Sequence, residues 1–168
     1  MKKIPRYSPV LLLVISLVIF PVASKARNSG ETRMEQGNPD GMILQQLLQQ
    51  SGFPYRKILE DVFIIERTGT SLGKYKVLLG CGKGMMFIGV IIAEKKNINA
   101  SLELMLKLLK LNDKMDFTKV GFDDSGDLFI RFEAKFRLLD LQEFRERVSS
   151  IEKAADWIHK DIKPFLTP

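Results

Sequence analysis

"KVGFDDSGDLFIRFEAKFRLLD", Lys119 to Asp140, passes from strand to turn to strand and into a helix start. Its second half alternates: Leu128, Ile130, Phe132, Ala134, Phe136 and Leu138 point one way, while Arg131, Glu133, Lys135 and Arg137 point the other. A period of two with one polar side predicts a strand with one wet face. Asp124, Ser125, Gly126 and Asp127 supply turn chemistry, so the stretch predicts a hairpin. Phe129 interrupts the polar side and is the aromatic expected near the surface. Asp140 and Glu143 then stand at capping-box spacing. They open a helix whose apolar positions, Leu141, Phe144, Val148, Ile151, Ala155, Ile158 and Ile162, recur in threes and fours up to Pro164. Such a helix lays one stripe on a sheet.

Upstream, the period changes twice. From Met42 it is helical, with Ile43, Leu44, Leu47 and Leu48 together, Asn38 or Asp40 available as the cap and Gly52 as the stop. "DVFIIERTG", "YKVLLGCG" and "MMFIGVIIAE" are short, rich in β-branched and aromatic residues, and separated by glycine-bearing links, the pattern of successive antiparallel strands. A second helix runs from about Asn99 to Met115. Glu103, Lys107, Lys110 and Lys114 form a narrow charged stripe on it, with Glu103 and Lys107 spaced for an i,i+4 pair. The rest is apolar in two patches. Ile98, Leu102, Met105, Leu106 and Leu109 make one; Leu104, Leu108, Leu111 and Met115 make the other, with Ser101 and Asn112 between them. One patch suffices to cover a sheet, so the other must face something else. The order is helix, three strands, helix, two strands, helix: an α+β layer of helices against an antiparallel sheet.

The N-terminus reads as an address. Lys2, Lys3 and Arg6 precede an apolar run from Val10 to Ala23 and small residues at Ala23, Ser24 and Ala26, the three-part layout of a signal peptide over residues 1–26, cut after Ser24 or Ala26. The run is shorter than the roughly 18 residues that a spanning helix needs, and Pro21 interrupts its end. Residues 27–40, "RNSGETRMEQGNPD", hold almost no apolar side chains and read as a flexible arm. Residues 41–168 make one domain. The expected destination is periplasmic or extracellular, with no membrane contact after cleavage. The chain carries +6 at pH 7, and loss of Lys2, Lys3 and Arg6 lowers this to +3. So small an excess, spread over both signs, argues against nucleic acid as a partner. Cys81 has no partner in the chain and reads as a buried small hydrophobe.

Three stretches invite a chemical reading. Gly80, Gly82 and Gly84 in "LLGCGKGMMF" do not make a phosphate loop, because strand rather than helix follows them and the spacing fits neither nucleotide-binding pattern; the expectation is a tight hairpin with Lys83 at its tip. Asp123, Asp124 and Asp127 fail the EF-hand spacing and read as a solvated turn. His159, the single histidine, stands beside Lys160 and Asp161 with no sequence-level partner nucleophile. No catalytic residue, metal ligand or cofactor is therefore assigned. Trp157 reads as partly buried, with a contact role if exposed.

The order of elements, the leucine-rich helix ending "LLKLND" and the hairpin and capped helix that follow resemble the type III secretion chaperone-like fold, including the Tir chaperone group and the bacterial sensory transduction regulator group. The resemblance covers residues 42–166 in outline and 97–156 more closely. It implies a small non-enzymatic homodimer that binds an extended polypeptide, with the second helix at the dimer interface. On that basis Leu104, Leu108, Leu111 and Met115 are the interface candidates, and Phe129 and Trp157 the partner-contact candidates. Departing from the family's cytoplasmic, acidic pattern, this chain has an export signal and a slightly basic mature domain. The function expected is an exported binding module for a peptide or protein, through a strand edge or an apolar groove. The alternatives are an enzyme with an unrecognised site and an envelope structural or regulatory protein.

Overall fold

A computed structural model describes residues 38–167. The expected signal peptide, residues 1–26, and residues 27–37 of the expected arm lie outside the described residues. The last part of that arm belongs to the fold: the Asn38 side chain accepts the Asp40 amide at 3.1 Å and caps helix α1, Pro39–Ser51, which stops at Gly52 in the left-handed region. Four strands follow, β1 (Arg56–Leu59), β2 (Val62–Gly69), β3 (Gly73–Gly82) and β4 (Met85–Ala93), then helix α2 (Leu102–Lys114), strands β5 (Thr118–Phe122) and β6 (Leu128–Lys135), and helix α3 (Leu141–Ile162). The order therefore has one strand more than the sequence pattern predicts. β1, "RKIL", is exposed over most of its length and bulged between Lys57 and Leu59, so it shows neither an alternation nor an apolar run.

All pairings are antiparallel and the sheet runs β1-β2-β3-β4-β6-β5. The hairpin predicted over Lys119–Asp140 is β5–β6, with Val120 opposite Ile130. Asp123 organises its turn: Oδ1 accepts the amides of Ser125 and Asp127, each at 2.9 Å, and Gly126 takes φ 84°. The alternation ends sooner than expected. Past Lys135 a short 3-10 turn, Phe136–Leu138, tucks Phe136 in and turns Leu138 out to solvent.

The three helices share one side of the sheet. Leu44 and Leu48 of α1, Leu104, Leu108 and Leu111 of α2, and the α3 stripe Phe144, Val148, Ile151, Ala155, Ile158 and Ile162 join the inward residues of β2 to β6 in a single core. Ile43 of α1, expected on the packed face, is exposed. The helix ends are tied down by side chains: Asp140 caps α3 by accepting the Glu143 amide at 2.8 Å, and Arg145 donates to the last carbonyls of α1, Gln50 and Ser51. Lys107 pairs with Asp161 at 3.1 Å in place of the expected Glu103, which draws α2 alongside α3.

Candidate interaction surface

The glycine stretch makes a hairpin. Gly82 faces Met85 across a two-residue loop, and Lys83 and Gly84 both have positive φ, 54° and 72°. This is the primed turn that matches strand twist. Only the second of these positions carries glycine, so the strained residue is Lys83, while Gly80 and Gly82 stay within strand β3. The Gly84 amide donates to Asp40 Oδ2 at 2.7 Å, fastening the turn to the start of α1. Cys81 is buried with its thiol 3.6 Å from the Asp61 carbonyl. Burial, and then the nearby Asp61 and Asp40, push that thiol up to about 12. It is inert as a nucleophile at neutral pH.

Two carboxylates of the Asp-rich turn, those of Asp123 and Asp127, accept backbone amides. Besides the bonds to Asp123, Asp127 Oδ1 accepts the Lys95 amide at 2.7 Å. Among the described residues no group of three acidic, histidine or cysteine side chains converges on a metal position.

His159 is tied into the fold. Its Nδ1 lies 2.9 Å from Ser71 Oγ in the β2–β3 loop, and Asp156 Oδ1, one turn earlier on α3, accepts the amides of Ser71 at 2.7 Å and Leu72 at 2.9 Å. The Leu72 amide, with those of Ser71 and Thr70, holds the Asp156 carboxyl below its usual range. A β-carbon at Gly69 would overlap that carboxylate, so the clamp needs glycine there. A hollow of about 780 Å³ opens beside it, lined by Thr70, Ser71, Asp156, Lys160, Lys163 and Pro164. Its acid is shifted toward ionisation, the direction of a structural carboxylate rather than of a general acid.

Burial depresses the His159 pKa, with Lys163 adding to the effect and Asp156 opposing it. The folded state then binds its proton less readily than the unfolded chain, whose histidine titrates near about 6.5. The contribution to stability is complete above that value and is lost as pH falls through the folded pKa. Melting temperature should therefore drop between about pH 7 and 5, and the drop should shrink in His159→Gln, because the chain has no other histidine. Equal slopes for both proteins would contradict this assignment.

Helix α2 carries the largest departure from expectation. The interface candidates Leu104, Leu108 and Leu111 are buried in the protomer's own core, and Met115 packs against it. The patch assigned to the sheet is the one left open: Leu102 is 75% exposed, Leu109 65%, Leu106 50% and Met105 37%. The expectation of two apolar faces holds, but their assignment is reversed. Asn112 explains part of the orientation. Its Nδ2 donates to the Val120 carbonyl at 2.8 Å and its Oδ1 accepts the Val120 amide at 2.9 Å, fixing α2 along β5.

Of the two contact candidates, Trp157 is 44% exposed on α3, one turn before Asp161 and so on the flank beside α2. Phe129 is half-buried on the sheet face away from the helices, opposite Ile91 and Gly121, with the Arg131 guanidinium 5.5 Å from its ring centre. The two residues thus lie on different sides of the molecule and cannot serve one small site. Another exposed aromatic, Phe117, follows α2 with φ 62° and stacks on Arg147 at 4.7 Å. No sequence signal marks it, because the strain lies in its backbone angle.

The comparisons agree with this architecture. No curated protein matches the chain. Among solved structures it is similar to YbjN from E. coli, with a TM-score of 0.59 and 14% identity over 77% of this chain and 97% of that one. It is also similar to a chain of the ExsC–ExsE complex, with a TM-score of 0.52 and 13% identity over 71% and 90%. A third likeness is to the ExoU–SpcU heterodimer from the type III secretion system of Pseudomonas aeruginosa, with a TM-score of 0.50 and 17% identity over 72% and 95%. At such identities the likeness is one of fold. A family model described as "Putative bacterial sensory transduction regulator" matches residues 42–156, so the chain belongs to the YbjN family and has the type III secretion chaperone-like α+β fold.

Proposed function

We propose that this protein is an exported, non-enzymatic binding module that works as a homodimer and engages a peptide or protein partner in the manner of a chaperone. The observation that carries the reading is the open face of α2. Leu102, Met105, Leu106 and Leu109 form a solvent-facing apolar strip about two turns long, bordered by Lys110 and Glu103. A strip of this kind is a liability for an isolated protomer and an asset at an interface. Two-fold symmetry lets one strip meet its own copy, each leucine counting twice. Support for a polypeptide partner comes from the fold relatives, two of which are structures of complexes, ExsC with ExsE and SpcU with ExoU. Export rests on the basic, apolar and small-residue layout of residues 1–26.

Phe129 and Trp157 are the partner-facing positions in this reading. The test places a photo-crosslinking amino acid at 129 or 157 in cells and identifies the adducts by mass spectrometry. One defined polypeptide besides a second copy of the chain is expected. Its capture from position 157 should be lost in Phe129→Ser while the melting temperature stays within a few degrees. Adducts with no protein other than the chain itself would contradict the proposal.

A further inference from the structure

A six-stranded open sheet has two edges, and unpaired edges recruit strands. The β1 edge is short, bulged and bears Arg56 and Lys57, the usual safeguards. The β5 edge is nearly as short and bears Lys119, but it has no bulge. Within β5 the Val120 amide and carbonyl bond to Asn112, so they point away from β6, and by alternation Thr118 and Phe122 point the same way. An incoming strand would need these three in succession. Asn112 fills the middle one, donating and accepting as a strand residue would, and leaves Thr118 and Phe122 about 13 Å apart at the ordinary rise per residue.

We propose that Asn112 is a lock on the β5 edge, which prevents a second copy from extending the sheet there and leaves the α2 strip as the route by which copies meet. The proposal deepens the homodimer reading and rests on it for the second half of the statement only. The lock itself is a property of the protomer. An apolar residue at 112 could not satisfy Val120.

The test uses Asn112→Ala in the purified protein, read by amide hydrogen exchange at Val120 and by sedimentation, alone and combined with L106D/L109D. The Val120 amide should exchange about tenfold faster, and species heavier than those of the parent should form and should persist in the L106D/L109D background. A protected Val120, or faster exchange with an unchanged mass distribution, would overturn the lock. If Asn112→Ala does not fold, Asn112→Leu gives the same two readouts, since it keeps the side-chain volume but offers Val120 neither donor nor acceptor. Failure of the dimer reading is distinguishable: the parent protein would then sediment as a monomer, while Asn112→Ala should still associate.

Discussion

Replacing Leu106 and Leu109 of α2 by aspartate should turn a dimer into a folded monomer. Both side chains lie half or more in solvent in the protomer, so the substitutions remove nothing from its core, and stability should change by no more than about 0.5 kcal/mol. In an interface the same positions count heavily. A half-exposed leucine that becomes covered contributes on the order of 1–2 kcal/mol, and symmetry doubles each term. Two leucines then supply about 4–8 kcal/mol before the repulsion of four carboxylates in one contact is added. The dimer should weaken by at least about a thousandfold. Leu104→Asp would give the opposite result, an unfolded protein, because Leu104 is fully buried. A sedimentation series with circular dichroism on each variant separates loss of association from loss of fold. If L106D/L109D left the oligomeric state unchanged, the interface would lie elsewhere.

Ile151→Ala should cost about 2–5 kcal/mol. Ile151 is fully buried midway along α3, the helix that packs on β4 and β6 and meets α1 on its flank, so a cavity there has rigid walls on several sides. Collapse is the only relief, and α3 is held against it. Arg145 is bonded to the end of α1, Glu152 pairs with Arg67 of β2 at 2.6 Å, and Asp156 grips the β2–β3 loop. The expected loss should appear as a lower urea midpoint with an unchanged slope. Lys153→Ala, two residues away and exposed, should change stability by less than about 0.5 kcal/mol. Comparable losses for the two variants would mean that the stripe is not the core.

Much of the fold was legible because the relevant signals are local. The alternation from Leu128 to Phe132, the threes and fours of α3, the Asn38 and Asp140 caps and the Gly52 stop each follow from a few neighbouring residues. β1 was not legible because an edge strand is selected to look unlike one: four residues, bulged and basic. Leu138 was misplaced because the alternation continues in the sequence past the point where the backbone leaves the sheet.

The interaction surface was half legible. Two leucine patches on α2 can be counted from the sequence, but neither carries a local mark of which turns inward. The deciding contacts are the Asn112–Val120 pair and the Lys107–Asp161 bridge, the second spanning more than fifty residues. Asn112 read only as a gap between apolar patches, and His159 only as a histidine without a partner nucleophile. Their roles depend on backbone groups that the fold brings to them.

Sedimentation velocity of the purified protein across micromolar concentrations tests the central claim most directly. A species of twice the protomer mass, dissociating on dilution and absent in L106D/L109D, is the predicted result. A monomer at every concentration, with the α2 strip still in water, would contradict it.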